Sequence, residues 1–257
     1  MDTNLFSYNA LVAKVKDRGM ITSPRGMTTS EILNERVSFV AGTFIHRQGS
    51  NLKLAFLEAC MLVGGIFELD LIREVAPNAN IKLFEKQSDY GARVRNQIPL
   101  VIEELTADPF SRRAVIQFNG GLHLGGDNIA CTLNAQFLKR EPCFFSLYTM
   151  RSWDLTFGFP NDIVMFGMLS AAVARCIHHN SHWNEVSVTA GSLHLYESTQ
   201  HLAYSAADPM KFVLGPEWPS DWKELRKYAA DLARDHKSWV DYHPKSVSIV
   251  KGNSFWS

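Results

Sequence analysis

Two stretches of this chain leave no polar face for water. Residues 52–63 are apolar nearly all round and stop at Gly64-Gly65, a pair that reads as the C-terminal end of a helix. Residues 162–177 form the longest apolar run, beginning with the carboxylate of Asp162 and containing Arg175. A helix that is hydrophobic on every side must be covered on every side, so both are predicted as buried helices around which other elements pack. No uncharged apolar run reaches the roughly 18 residues that span a membrane. With 257 residues, 46% hydrophobic and 20% charged, the chain can bury a substantial core. No linker, repeat or low-complexity segment divides it, so residues 1–257 are expected to form one domain.

Amphipathic spacing predicts a helix over residues 5–15, ending near Gly19, and another over 94–105 despite Pro99, ended by Asp108-Pro109. Ser23-Pro24-Arg25-Gly26 reads as a turn. Alternation predicts strands over 31–41, 113–118 and 184–196. Strands over 129–138 and 143–151 flank Lys139-Arg140-Glu141-Pro142, a hairpin turn. Pro160 opens the long apolar helix, since proline is tolerated in a first turn. Residues 221–235 read as a charged amphipathic helix. Strands and helices mix without a regular βαβ rhythm, which favours the α+β class over a doubly wound sheet.

The formal net charge is zero, so no basic field argues for long nucleic acid, and phosphate recognition has to be local. Cys60, Cys131, Cys143 and Cys176 show no CxxC pair and read as reduced thiols of a cytoplasmic protein. The first residues lack the basic and apolar regions of a secretory signal. His178, His179 and His182 are grouped, but no carboxylate or cysteine completes a ligand set, so no metal is expected.

The chemistry concentrates in three motifs. Cys131 lies in Ile129-Ala130-Cys131-Thr132-Leu133-Asn134-Ala135-Gln136-Phe137; then come Met150-Arg151-Ser152-Trp153-Asp154 and Gly158-Phe159-Pro160-Asn161-Asp162. Buried cysteines are commonly inert, but a nearby guanidinium favours the reactive thiolate. Glu58 sits inside the apolar helix, where a carboxylate is costly unless paired or functional. Burial would raise its pKa and suit it to move protons. His194 and Tyr196 are two residues apart on a predicted strand, so both rings can face one pocket.

Together these motifs resemble the thymidylate synthase family: a nucleophilic cysteine with Gln and Phe five and six residues on, then Arg-Ser-x-Asp, then Gly-x-Pro-x-Asn. The likeness runs from about Arg25 to Tyr196 and is dense from Ser111 to Asp162. It implies a large twisted, mainly antiparallel sheet with long helices, and a homodimer formed through that sheet. It implies a pyrimidine nucleoside monophosphate and 5,10-methylenetetrahydrofolate as substrates. Cys131 would attack C6 of the base, while Glu58 and Tyr90 (in Tyr-Gly-Ala-Arg-Val-Arg) would manage water and protons. Arg25, Arg112, Arg113, Arg151 and Ser152 would hold the phosphate, with Arg112 and Arg113 reaching it from the opposite subunit. Asp162, Asn161 and Gln136 would meet the base, and His194 and Tyr196 the sugar. Asp154, Gly158 and Phe84 would meet folate, with Phe84 and Gln87 falling where the family carries two tryptophans.

One departure bears on the substrate. Asp162 stands where the family places the asparagine that reads uracil, and an aspartate there resembles the deoxycytidylate hydroxymethylases. Ionised aspartate only accepts hydrogen bonds, so it suits the N4 amino group of cytosine, and N3 once protonated. The same aspartate would also suit the positive end of a helix as a plain cap. The smaller residues around Phe84 and the unmatched tail, residues 252–257, suit water capture over reduction. The expectation is hydroxymethylation of cytidylate. The alternatives are C5 methylation of cytidylate or uridylate, and a nucleotide- or RNA-binding protein without chemistry. The set Cys131, Arg151 and Glu58 speaks against the last.

Overall fold

A computed structural model describes residues 7–46, 51–79, 84, 89–119, 129–179, 183–203, 208–239 and 247–250. Local chemistry sets the ends of its elements. Helix α1 (Tyr8–Arg18) opens on Ser7, whose hydroxyl accepts the Ala10 amide, and ends at Gly19. Strands β1 (Met20–Thr22), β2 (Thr29–Val40) and β3 (Thr43–His46) follow. The Asn51 side chain caps α2 (Leu52–Gly64) by accepting the Leu54 amide, and Gly65, at φ 68°, closes it. Next come α3 (Leu69–Val75), α4 (Tyr90–Val94) and α5 (Ile98–Ala107). The helix expected over 94–105 begins at Ile98 instead, with Pro99 in the first turn of α5, where its missing N–H leaves no helical bond unmade; Val94 belongs to α4.

The second half runs β4 (Val115–Gln117), β5 (Thr132–Arg140), β6 (Cys143–Met150), β7 (Trp153–Asp154), α6 (Gly158–Cys176) and β8 (Trp183–Tyr196). It ends with α7 (Gln200–Ala203), β9 (Asp208–Leu214), α8 (Trp222–Arg234) and β10 (Val247–Val250). A seven-stranded sheet has the order β1-β2-β8-β6-β5-β4, with β7 also paired to β8; β10-β9-β3 form a second sheet. Pairing is antiparallel except where β6 and β7 run parallel to β8. The class is α+β, as expected.

Both apolar runs are buried helices. Phe56, Leu57, Cys60 and Val63 of α2 and Ile163, Phe166, Leu169 and Val173 of α6 lie in one core with Val37, Tyr148 and Val188 of the sheet. Helix α2 packs between α6 and α8, and Gly64 permits the close approach, since a Cβ there would stand 2.9 Å from the Ala230 amide nitrogen. On the opposite face of the sheet, Val115, Gln136, Leu147, Ser187 and Ser38 form one cross-strand row.

Candidate active site

A cavity of about 710 Å³ is lined by side chains from every part of this core. Cys131 enters just ahead of β5, Arg151 and Ser152 between β6 and β7, and Asp154 from β7. Glu58 comes from α2, Tyr90 from α4, Asp162 from α6, and His194 and Tyr196 from β8. Arg25 reaches it from the turn after β1, with its backbone in the left-handed region at φ 53°. Gly158 and Phe84 also line it.

Hydrogen bonds hold Cys131 in place. The Arg151 guanidinium donates to the carbonyls of Ala130 (3.1 Å) and Ile129 (2.5 Å), and the Arg151 amide donates to the Cys131 carbonyl (2.9 Å). The Tyr90 hydroxyl accepts the Thr132 amide at 3.3 Å. An irregularity in the β5–β6 register between Thr132 and Asn134 interrupts the alternation at this point, as bulges do beside functional residues. Gly91, whose Cβ would strike the Met61 and Ile66 carbonyls, lets α4 lie close enough to α2 to deliver Tyr90.

The acids are strongly perturbed. Burial pushes Glu58 up to about 7, against a hydrogen bond from Asn161 that lowers it. Burial likewise holds Asp162 well above the carboxylate range; the charge of Glu58 adds to this, and the hydrogen bond from Trp153 opposes it. The expectation of an ionised Asp162 is therefore corrected: burial favours the neutral acid. Cys131 also departs from expectation. Arg151 and Arg25 do pull its thiol down, but burial outweighs them and the net direction is up. Burial, with the charges of Cys131 and Asp162, keeps the Tyr90 phenol protonated.

His194 meets Tyr196 edge to face, centroids 5.0 Å apart, and burial pushes the Tyr196 phenol up while Arg25 pulls it down. The Asp154 carboxylate accepts the amides of Thr156 (3.0 Å) and Phe157 (2.9 Å), so it also shapes the turn into α6.

Four expected site residues do not line the cavity. Asn161 reaches it indirectly, through its amide on Glu58 Oε2 at 2.8 Å. Gln136 points from the opposite face of the sheet and donates to the Arg112 carbonyl at 2.8 Å, so within one chain it cannot read the base. Arg112 is exposed, and Arg113, 79% exposed, pairs with Glu104 at 2.8 Å. Gln87, His182 and residues 252–257 lie outside the described residues. Trp153 and the apolar wall of Ile66, Phe67, Ile72 and Phe157 went unpredicted; for Trp153 the only signal was its unassigned place in Arg-Ser-x-Asp.

Among the described residues, no group of three His, Cys, Asp or Glu side chains could hold a metal ion, and no helix is long and apolar enough to cross a membrane. No curated protein matches the chain. Residues 76–211, just over half of it, match the family model described as Thymidylate synthase. That family's co-substrate is methylenetetrahydrofolate, and the cavity fits it: an apolar wall that could take a flat heteroaromatic ring adjoins Asp154 and Gly158 beside Cys131. The match therefore agrees with the architecture, and the chain belongs to the thymidylate synthase family, transferases that place a one-carbon unit on C5 of a pyrimidine nucleotide.

Proposed function

We propose that this chain is a cytoplasmic, homodimeric hydroxymethyltransferase that converts cytidylate, as CMP or dCMP, to its 5-hydroxymethyl form. Asp162 carries the reading: a largely buried carboxyl, biased towards its neutral form, shares one cavity with Cys131 and Glu58. A neutral carboxyl both donates and accepts. It can give its proton to N3 of cytosine while accepting from the N4 amino group, and protonation at N3 makes the ring a better electron sink for sulfur addition at C6. Cys131, on which Arg151 offsets part of the burial that raises its thiol, is the nucleophile. Methylenetetrahydrofolate, when bound, supplies the one-carbon unit, and Asp154, Gly158, Phe84 and the apolar wall would hold it. Glu58, titrating near 7, is suited to take the C5 proton through water and to orient the water that completes the hydroxymethyl group. Arg25, Arg151 and Ser152 would hold the phosphate, and His194 and Tyr196 the sugar.

The dimer is supported by Arg112 and Arg113, exposed cations outside their own chain's cavity, and by Val115 and Leu147 on the sheet face that carries Gln136. Free thiols at all four cysteines suit a reducing compartment. A second reading, C5 methylation of uridylate, is favoured by the same neutral Asp162, because a carboxylic acid that donates and accepts can also complement uracil. Incubation with CMP, dCMP, UMP or dUMP and methylenetetrahydrofolate, followed by mass analysis, separates the readings. A hydroxymethyl increment on cytidylate is expected. A methyl increment, or product from uridylate alone, would overturn the proposal.

A further inference from the structure

Trp153 occupies the unassigned position of Arg-Ser-x-Asp. Its side chain is buried, with 1% exposure, and lies against Phe159 with ring centroids 4.3 Å apart. Its indole Nε1–H donates to Oδ2 of Asp162 at 3.0 Å. An indole N–H can only donate. Oδ2 therefore accepts in either protonation state, and because a carbonyl oxygen accepts better than a hydroxyl oxygen, the indole favours a neutral Asp162 with its proton on Oδ1.

The order of donor and acceptor matters for the base. Cytosine presents an acceptor at N3 and a donor at N4, whereas uracil presents a donor at N3 and an acceptor at O4. A carboxylic acid free to place its proton on either oxygen matches both. One whose proton is confined to a single oxygen matches one of them for a given seating of the ring. We propose that Trp153 is a specificity-determining positioning residue: its donor-only indole fixes which oxygen of Asp162 accepts, and so restricts the site to one pyrimidine. The inference rests on the proposed role of Asp162 in reading the base. The other titratable groups facing Asp162 are Glu58 from α2, Asp154 from β7, Tyr90 from α4 and Cys131 ahead of β5.

The test compares kcat/KM for cytidylate and uridylate in wild type, Trp153→Phe and Phe159→Leu. Trp153→Phe keeps a ring against Phe159 and removes the N–H; the ratio is expected to fall roughly tenfold or more, the scale of one buried hydrogen bond. Phe159→Leu disturbs the packing and keeps the N–H, so it should lower both activities with the ratio unchanged. A ratio unmoved by Trp153→Phe overturns the proposal. If wild type prefers uridylate, the reading of the base fails, yet Trp153 is still tested, because its loss should then erode that opposite preference. If neither nucleotide is turned over, the ratio of dissociation constants serves instead. Should Trp153→Phe not fold, the indole N–H resonances of the six tryptophans answer the question in wild type and Asp162→Asn. One should move with pH in wild type and stay fixed in the variant; six that ignore both changes overturn the proposal.

Discussion

Asn161 on α6 donates its side-chain amide to Oε2 of Glu58 on α2 at 2.8 Å, one residue before the second acid of the cavity. Two half-buried carboxyl groups from different helices thus line one cavity. Burial raises both, and the charge of Glu58 raises Asp162 further. Like charges brought together out of water cannot both ionise cheaply. Burial therefore favours the protonated form of both acids, which suits the proposed donation of a proton to the base and later removal of a ring proton.

Glu58 gives this a thermodynamic signature. Its folded pKa of about 7 lies above its ordinary value of 4.5, so its contribution to stability is present below pH 4.5 and lost as pH rises towards 7. At about 1.4 kcal/mol per pKa unit, the loss is on the order of 3 kcal/mol. Glu58→Gln removes it. Thermal unfolding at pH 5 and pH 8 should show the variant gaining on wild type at the higher pH, with turnover reduced about a hundredfold or more. A pH-independent gap would mean that Glu58 is not held protonated.

Cys131→Ser should abolish turnover and leave nucleotide binding within about tenfold, because an alcohol is a far weaker nucleophile at neutral pH. Product mass and calorimetric binding on the same preparation test this. Substantial product from the serine variant would remove Cys131 from the reaction.

Arg151→Ala should weaken monophosphate binding more than nucleoside binding by about 1.5–3 kcal/mol, the value of a charge-assisted hydrogen bond. It should also slow the reaction of bound substrate, since the guanidinium braces the Ile129 and Ala130 carbonyls just before Cys131. Equal affinity losses for both ligands would place the phosphate elsewhere.

Mixing inactive Cys131→Ser with an inactive Arg112→Ala/Arg113→Ala double variant should restore activity through hybrid dimers. One of the two sites would then combine an intact cysteine with intact arginines from its partner. No recovery despite demonstrated subunit exchange would rule out shared sites.

Legibility followed length and chemistry. Helices α2 and α6 were plain because long apolar runs have few alternatives. The strands of the second sheet were not: Thr43–His46 is only four residues, and Asp208–Leu214 contains Pro209, which argues against a strand. Helix α3 is seven residues with Asp70, Arg73 and Glu74 among them, too short to display a period. The cavity's polar residues were legible because their motifs are local in sequence. The direction of the Cys131 shift was not, because the burial that outweighs Arg151 belongs to the assembled fold. Nor could alternation along β5 reveal that Gln136 turns away from the cavity, which depends on the face the helices cover.

Asp162→Asn tests the base assignment. The amide donates and accepts but has no proton to give to N3, so activity should fall on cytidylate and rise, relatively, on uridylate. The swing should be a few kcal/mol, since each matched or mismatched hydrogen bond at a buried base edge counts about 1–3 kcal/mol. It should appear in kcat/KM, because a proton at N3 matters in the transition state as well as in binding. The pH profile gives an independent check. Burial raises the folded pKa of Asp162, so its proton, and with it wild-type cytidylate turnover, should be lost as pH rises through that value. Asp162→Asn has no such proton to lose, and its alkaline limb should lack this contribution. An unchanged substrate ratio with an unchanged alkaline limb would reduce Asp162 to a structural acceptor for the Trp153 indole and remove the case for cytosine.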